Sequence, residues 1–531
     1  IIFTGNDISS DNAMMKLFLY IVVIIIAFVF AVTTSNTISK EATEIGTLRA
    51  TGYTRGELLR HYMFLPVAVT LVAALTGNVL GYTFMKQLNA DLYYSSYSLP
   101  TYVTRWSIQA LLETTIAPIV IMLVINWFIL HRKLKLSPLR FLRKDLRSSR
   151  RKGAIRLSRK IPFFSRFRLR IVFQNISNYL VLLLGIIFAN ILLLFGLMLP
   201  SVLNNYMESL GDNMFSKYQY ILTLPAGTVN EDKKLESLIA MAMFQEAVET
   251  ENEDAEKFSV WELKTLPGSG IKEEEIMLYG VADNSRYVDI DTSGNKIYIS
   301  QAYAEKWKLD PGDTIRLKAP YDDDIYEFNI YGIYPYDGAL CIFMGQDLLN
   351  EVFGLGKDTF TGYFSDTPIT DIDEKYIGRM IDLTALTKVS RQLNISFGDM
   401  MRIVDIFAIV MFVIIIYLMS KLIIEKNANS ISMTKILGYS NGEIARLYVM
   451  VTSILVIVFL LGTIPLSSWL MTWAFKEMIR MEMAGWIPFI LSPEVYVKMA
   501  IYGLGTYAVV AVFEYIKISR VPMNMALKDA E

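Results

Sequence analysis

The chain holds one cysteine, Cys341, and two histidines, His61 and His131, in 531 residues. So few exclude an internal disulfide framework, a cysteine-based zinc site and a histidine cluster for a catalytic metal. Charged residues are also scarce, at 19 % of the chain, against roughly 25 % in soluble domains. An ordinary soluble protein and a disordered one are both excluded. A nucleotide-binding loop is missing too: Gly354 to Thr359 has a Gly356-Lys357 pair but lacks the glycine four residues before it, and no other stretch fits. Any ATP-driven function therefore needs an ATPase on another chain. The first residue is Ile1, and no basic segment precedes the first apolar run, so the expectation is the later part of something longer.

Hydrophobic residues are abundant, at 53 %, with 30 Tyr, 29 Phe and 26 Met. A hydrocarbon core about 30 Å thick needs roughly 20 apolar residues in a helix. Seven stretches qualify, near 14–35, 62–86, 107–130, 178–201, 402–424, 446–472 and 495–515. Ile21 to Val32 carries no polar side chain, so a buried soluble helix with a polar face does not account for it. The sequence predicts a polytopic α-helical membrane protein.

Orientation follows from Lys and Arg in the short loops. Residues 131–176 carry sixteen Lys/Arg against one acid, Asp145, so this loop is placed in the cytoplasm together with 36–61, 425–445 and 516–531. Residues 1–13, 87–106, 202–401 and 473–494 then face outside. Residues 202–400 hold 35 Asp/Glu and 17 Lys/Arg, a net of −18, which leaves +17 for the rest. The basic loop is tethered to spans at both ends, so anionic lipid headgroups are preferred to nucleic acid as its partner. Ser165 to Ile176 interleaves arginines with Phe167, Ile171 and Phe173, the pattern of an interfacial elbow helix.

An internal repeat organises the spans. At an offset of 386 the loops after the first and fifth spans are identical at Ile45/Ile431, Gly52/Gly438, Tyr53/Tyr439, Gly56/Gly442, Glu57/Glu443, Arg60/Arg446 and Tyr62/Tyr448. Arg49/Lys435 is conservative. The third spans end alike, Pro138-Leu139 then Lys144-Asp145, and Pro522-Met523 then Lys528-Asp529. The expected layout is the end of a first ectodomain (1–13), a three-span module (14–145), a basic linker with its elbow (146–177), an extra span (178–201), an α/β ectodomain (202–401) and a second three-span module (402–531). A span and an ectodomain are expected before Ile1, since the second module has them.

Glu41 to Glu57, EATEIGTLRATGYTRGE, resembles the cytoplasmic loop of FtsX-like (MacB-type) ABC transporter permeases. The resemblance implies two FtsX modules. In that family the loop holds a coupling helix that docks on a separate ATPase subunit. It would assign ATPase coupling to Glu44, Gly46, Arg49, Gly52, Tyr53, Gly56 and Glu57, and in the second copy to Ser430, Ser432, Lys435, Gly438, Tyr439, Gly442 and Glu443. It implies two copies of a cytoplasmic ABC ATPase carrying the ATP and Mg, no cofactor in this chain, and an extracytoplasmic protein partner as an option. The second copy has Ser430 for Glu44 and Ser432 for Gly46, so unequal docking is expected, with charge reversal at Glu44 or Arg49 more harmful than change at Ser430. Without the family, Ile45 to Thr51 reads as a helix stopped by Gly52, with Glu57 and Arg60 within reach on the next. The alternative is a helical hairpin that merely closes the cytoplasmic face.

Within 202–400 short alternating stretches, Tyr218 to Leu224, Ile276 to Val281, Lys296 to Ser300 and Ile325 to Tyr334, predict strands between Gly/Asp/Pro turns. Ile297 to Leu317 resembles the strand, helix, turn and strand of the MacB-type periplasmic core domain, with Asp310 to Asp313 as a turn. Asp322 to Asp324 lacks calcium-loop spacing and reads as a solvated turn. Cys341, between Leu340 and Ile342-Phe343, is expected to be buried. Glu113, Asn126, Asn190 and Asp405 are the polar residues at membrane depth, with packing or hydration favoured over transport. The resemblance implies a bacterial plasma-membrane permease that exports or extracts a peptide, lipid, lipoprotein or antimicrobial. The alternative is a permease that transmits force or a signal to a partner such as a cell-wall hydrolase. An ion-coupled transporter is disfavoured, because these copies share one topology and their spans are mostly unbroken.

Overall fold

The computed structural model describes residues 2–96, 100–101, 103–143, 173, 176–212, 214–224, 243–266, 273–320, 322–356, 359–426 and 428–522. The elbow and nearly all of the basic linker, Lys357-Asp358 and Met523 to Glu531 lie outside them.

Helix α1 (Ile2–Lys40) takes in the first span and the residues before it without a break. A short helix α2 (Ala42–Ala50) follows, and α3 (Arg55–Leu80) runs back across. A π turn, Gly81–Met85, and α4 (Lys86–Ser96) end the outward excursion. The return begins with α5 (Ile108–Leu111) and a second π turn, Leu112–Ile116, and completes in α6 (Ala117–Leu134) and the short α7 (Pro138–Leu142). Both stretches stay helical through these turns, each of which inserts a residue into the i to i−4 ladder. Helix α8 (Ile176–Asp212) carries the next span.

The sheet domain starts at β1 (Tyr218–Leu222) and continues with β2 (Glu256–Thr265), β3 (Glu275–Val281), β4 (Tyr298–Ser300), α9 (Gln301–Trp307), β5 (Thr314–Lys318), β6 (Ile325–Asn329), β7 (Gly332–Tyr334), β8 (Cys341–Gly345), α10 (Gln346–Val352), β9 (Gly362–Ser365) and β10 (Ile377–Asp382). Spatial order is β10-β1-β9-β2-β3-β8-β4-β7, with β5 joining β2 and β6. The sheet is mixed: β3/β8 and β4/β7 are parallel, the other pairs antiparallel. Alternation along β9 feeds two cores. Phe364 stacks on Phe258 at 4.0 Å in one, while its neighbour Tyr363 joins Val248 and Phe360 in the other. Cys341 is fully buried in the first, donating its backbone N–H to Ser300 Oγ. The single strand expected over Ile325 to Tyr334 is two, because the chain changes partner: Ile330 N–H bonds Asp313 and Tyr331 N–H bonds Ile297.

Helix α11 (Leu383–Lys426) leaves the sheet domain, so the boundary expected at 401/402 falls inside a continuous helix. Then come α12 (Ala428–Ile436), α13 (Asn441–Glu482) and α14 (Pro493–Ser519). Six helical stretches among the described residues are long and apolar enough to cross a membrane: Asp11–Lys40, Arg55–Met85, Ile108–Leu134, Tyr179–Gly211, Asn441–Glu482 and Pro493–Ser519. The seventh expected stretch is represented by the shorter apolar Val404–Leu418 within α11.

The chain divides into two compact units. One joins 200–398 with 1–14 and 472–492; the other holds 15–199, 399–471 and 493–531.

Candidate coupling hairpins

Two helical hairpins, α2 into α3 and α12 into α13, carry the residues expected to couple to an ATPase. Their frames are built alike. Gly52 (φ +114°) and Gly438 (φ +89°) both take the left-handed conformation that stops a helix and that a side chain resists. Each next helix opens with a capping box. Thr54 N–H bonds Glu57 Oε2 at 2.7 Å and Glu57 N–H bonds Thr54 Oγ1 at 3.3 Å; the Ser440/Glu443 pair repeats this at 2.9 and 3.4 Å. Glu57 is therefore engaged with Thr54, where the sequence suggested Arg60. Gly56 and Gly442 are exposed in the first turns of α3 and α13. Small apolar cores sit beneath at equivalent positions, Ile38, Ile45, Leu58 and Leu134 in one, Ile424, Ile431, Ile444 and Ile518 in the other.

Arg49 and Lys435 turn inward. Arg49 Nη1 donates to the carbonyls of Leu134, at 3.2 Å, and Leu136. Lys435 Nζ donates to those of Ile518, Ser519 and Val521 at 2.9, 3.0 and 2.8 Å. Each cation thus caps the C-terminal end of its module's third span, satisfying carbonyls that have no intrahelical partner and meeting the negative end of the helix dipole. Desolvation lowers the Lys435 pKa from its ordinary value; at Arg49 desolvation acts first and neighbouring Arg55 adds to it.

The substitutions between copies have local causes. At Gly46 a Cβ would lie 2.8 Å from Leu142 N and Cγ, so α2 and α7 touch there only because the residue is glycine. Its counterpart Ser432 donates its hydroxyl to the Pro522 carbonyl at 3.0 Å. Glu44 and Ser430 are both exposed. So are Tyr53 and Tyr439, at 52 % and 44 %, in front of the hairpins. Around them the first tip presents Glu44, Thr47, Leu48 and Arg55, and the second Met433, Ile436 and Leu437.

A further set of ion pairs links helices that flank the two hairpins. Glu425 of α11 pairs with Lys40 of α1 at 2.6 Å and Lys517 of α14 at 2.7 Å. Burial opposes its ionisation, but the two ammonium groups outweigh burial and hold the carboxyl below its ordinary range. In the first module Lys133 instead meets the hydroxyls of Ser35 and Ser39 at 2.8 and 2.5 Å.

Three of the polar residues expected at membrane depth are engaged locally. Glu113 pairs with Lys16 at 3.0 Å, Asn126 donates to Met122 O, and Asn190 donates to Leu460 O and Thr463 Oγ1. Asp405 Oδ1 would be 2.6 Å from a Cβ at Gly196, so that glycine admits it. Sequence reasoning passed over Glu514, which is 2 % exposed in α14 beside Tyr507, whose hydroxyl also shares a hydrogen bond with Ser453. Its signal was a lone acid near the end of the last span.

In the sheet domain, Asp313 N–H bonds Asp310 O in the expected turn, and Asp323 faces Lys318 at 2.8 Å with its side chain fully exposed.

A family model described as FtsX-like permease C-terminal matches residues 16–138, a segment holding the first hairpin. Residues 16–138 are thus an FtsX-like permease domain. A second family model, described as probable transporter C-terminal domain, matches residues 385–526, which contain the second hairpin, and the two matches together support an FtsX-like ABC permease. No curated protein matches the chain. FtsX-like permeases are ABC transporter components that partner with ATPases, so this is a transport subunit and not an enzyme, a multi-pass membrane protein with an extracellular domain.

Proposed function

We propose that this permease couples ATP hydrolysis on a separate cytoplasmic ATPase to export or extraction of a substrate by mechanical transmission. Two ATPase copies dock on one chain, one per hairpin, and Val404–Leu418 belongs to a seventh span. The sheet domain is of the MacB type, and the basic linker rests on anionic lipid. The observation that supports this best is the likeness of the hairpins: each is bolted by an inward-turned cation to the end of its own third span, so a push on the exposed tip moves a rigid body. Coupling is mechanical, because motion follows from differential contact with the ATPase in its two states.

Purification of the full chain from native membranes, with mass spectrometry of its companions, tests this reading. An ABC ATPase at two copies per chain supports it; a stable permease with no ATPase contradicts it. The alternative, a permease that moves no substrate and drives an extracellular partner such as a cell-wall hydrolase, would show as a bound partner protein with no substrate-dependent ATPase.

A further inference from the structure

A second buried cation lies far from the hairpins in sequence, and no motif marks it. Lys306, at the end of α9, is fully buried. Its Nζ meets Glu274 Oε1 at 2.5 Å, just before β3, and the carbonyls of Met483 and Gly485 at 2.8 and 2.7 Å. Gly485 N–H closes the circuit on Glu274 Oε1 at 2.8 Å. Met483 and Gly485 belong to the turn that follows α13, and this turn groups with the sheet domain in one compact unit. The turn is held from a second side by the end of α8: Asn205 Nδ2 donates to Ile490 O at 2.8 Å, and Ser492 N–H to Ser201 Oγ at 2.9 Å. Half-exposed Lys476 and Glu305 pair beside the clasp at 3.1 Å.

A buried ion pair adds little net stability over apolar packing but fixes register, since neither charge can slide without losing its partner. Here the register fixed is that of the end of α13 on the sheet domain. Helix α13 is continuous through Pro465 for 42 residues, about 63 Å at 1.5 Å per residue. It begins at Asn441, next to the cap of the second hairpin. One helix therefore joins a candidate ATPase-docking tip to the clasp.

We propose that Lys306 and Glu274 form a force-bearing clasp through which α13 moves the extracellular sheet domain, with Lys306 as a positioning residue. This rests on the ATP-driven reading above. The test is hydrogen exchange of the full chain with its ATPase, without nucleotide and with a slowly hydrolysed ATP analogue, for wild type and for Lys306→Met/Glu274→Gln. Replacing both partners leaves no unpaired buried charge, so the variant should fold and the sheet-domain core should melt as in wild type. Amides of 483–490 should exchange about tenfold faster, since charge-assisted bonds have gone. The nucleotide-induced change in β3 and α9 should vanish while that in α12 persists. A variant that melts as wild type and still shows the full nucleotide response in β3 and α9 would overturn the clasp. Should the double variant melt early, Lys476→Met, which leaves the clasp intact, must melt and respond as wild type; a matching loss of response there would also overturn it. No nucleotide response in α2 or α12 of wild type would instead sink the ATP-driven reading itself.

Discussion

The two helical hairpins share a frame and differ at the surface they present. The left-handed glycine, the capping box, the inward cation and the small apolar core recur, whereas the tip around Tyr439 exposes more large apolar side chains, Met433, Ile436 and Leu437, than the tip around Tyr53, which exposes Leu48. Of the outward-facing positions, Tyr53/Tyr439 and Gly56/Gly442 are kept while Glu44/Ser430 has diverged, and of the inward ones Ile45/Ile431 is kept while Gly46/Ser432 has diverged. Identity between the hairpins therefore does not by itself separate construction from docking.

The largest expected effect comes from the inward cations. Lys435→Glu would set a carboxylate against three carbonyls at a buried position and should cost the second hairpin about 3 kcal/mol or more. Arg49→Glu, at a half-buried position with two carbonyl partners, should cost about half as much. Hydrogen exchange across α12 and α2 checks this; equal loosening, or none, would contradict it. Since both changes loosen a hairpin, loss of ATPase coupling in either variant does not by itself identify a docking residue.

Exchanging the residues that differ sharpens the comparison. Gly46→Ser should cost about 1–3 kcal/mol, because Leu142 has to move. Ser432→Ala should cost about 1 kcal/mol, the loss of one hydrogen bond to Pro522. Exchange rates in the same two helices read both, and a harmless Gly46→Ser would show that α2 and α7 are not in tight contact.

The smallest effect is a difference in acid response. Glu425 has a depressed pKa in the folded chain, so its contribution is present above the unfolded carboxyl pKa, about 4.3, and is lost as pH falls through the folded value. At pH 7 Glu425→Gln should lower stability by about 1 kcal/mol, its Lys40 partner being largely exposed. As pH falls through the depressed folded value the variant and wild type should converge in thermal melts. The hydroxyl partners of Lys133 do not titrate, so Ser39→Ala should show a pH-independent effect. A constant gap for Glu425→Gln across this range would remove the ion pair from the account.

Much of the fold was legible because the bilayer allows few solutions. Uninterrupted apolar runs such as Ile21 to Val32 have no other home, and alternating residues marked β1, β3, β4, β6 and β7, while β2, β9 and β10 went unread. Residues whose meaning depends on distant partners were hidden. Nothing local distinguishes Arg49 as the cap of α6, 85 residues away, or Lys306 as a partner of a turn 177 residues on. The π turns escaped as well, since Gly81 to Met85 and Leu112 to Ile116 differ from ordinary helix only in their hydrogen-bond ladder. Gly52 was readable, because a helix stop acts locally, whereas Glu57 was read toward Arg60 and caps with Thr54 instead.

The most direct test of the central claim is site-specific cross-linking from single cysteines at Tyr53 and Tyr439, one at a time, in native membranes. Cys341 is buried and its thiol is held well above its ordinary pKa by desolvation, so it stays silent. The account predicts an ATPase adduct from each position, each sensitive to nucleotide. An ATPase that co-purifies with the chain yet reacts with neither cysteine would contradict it.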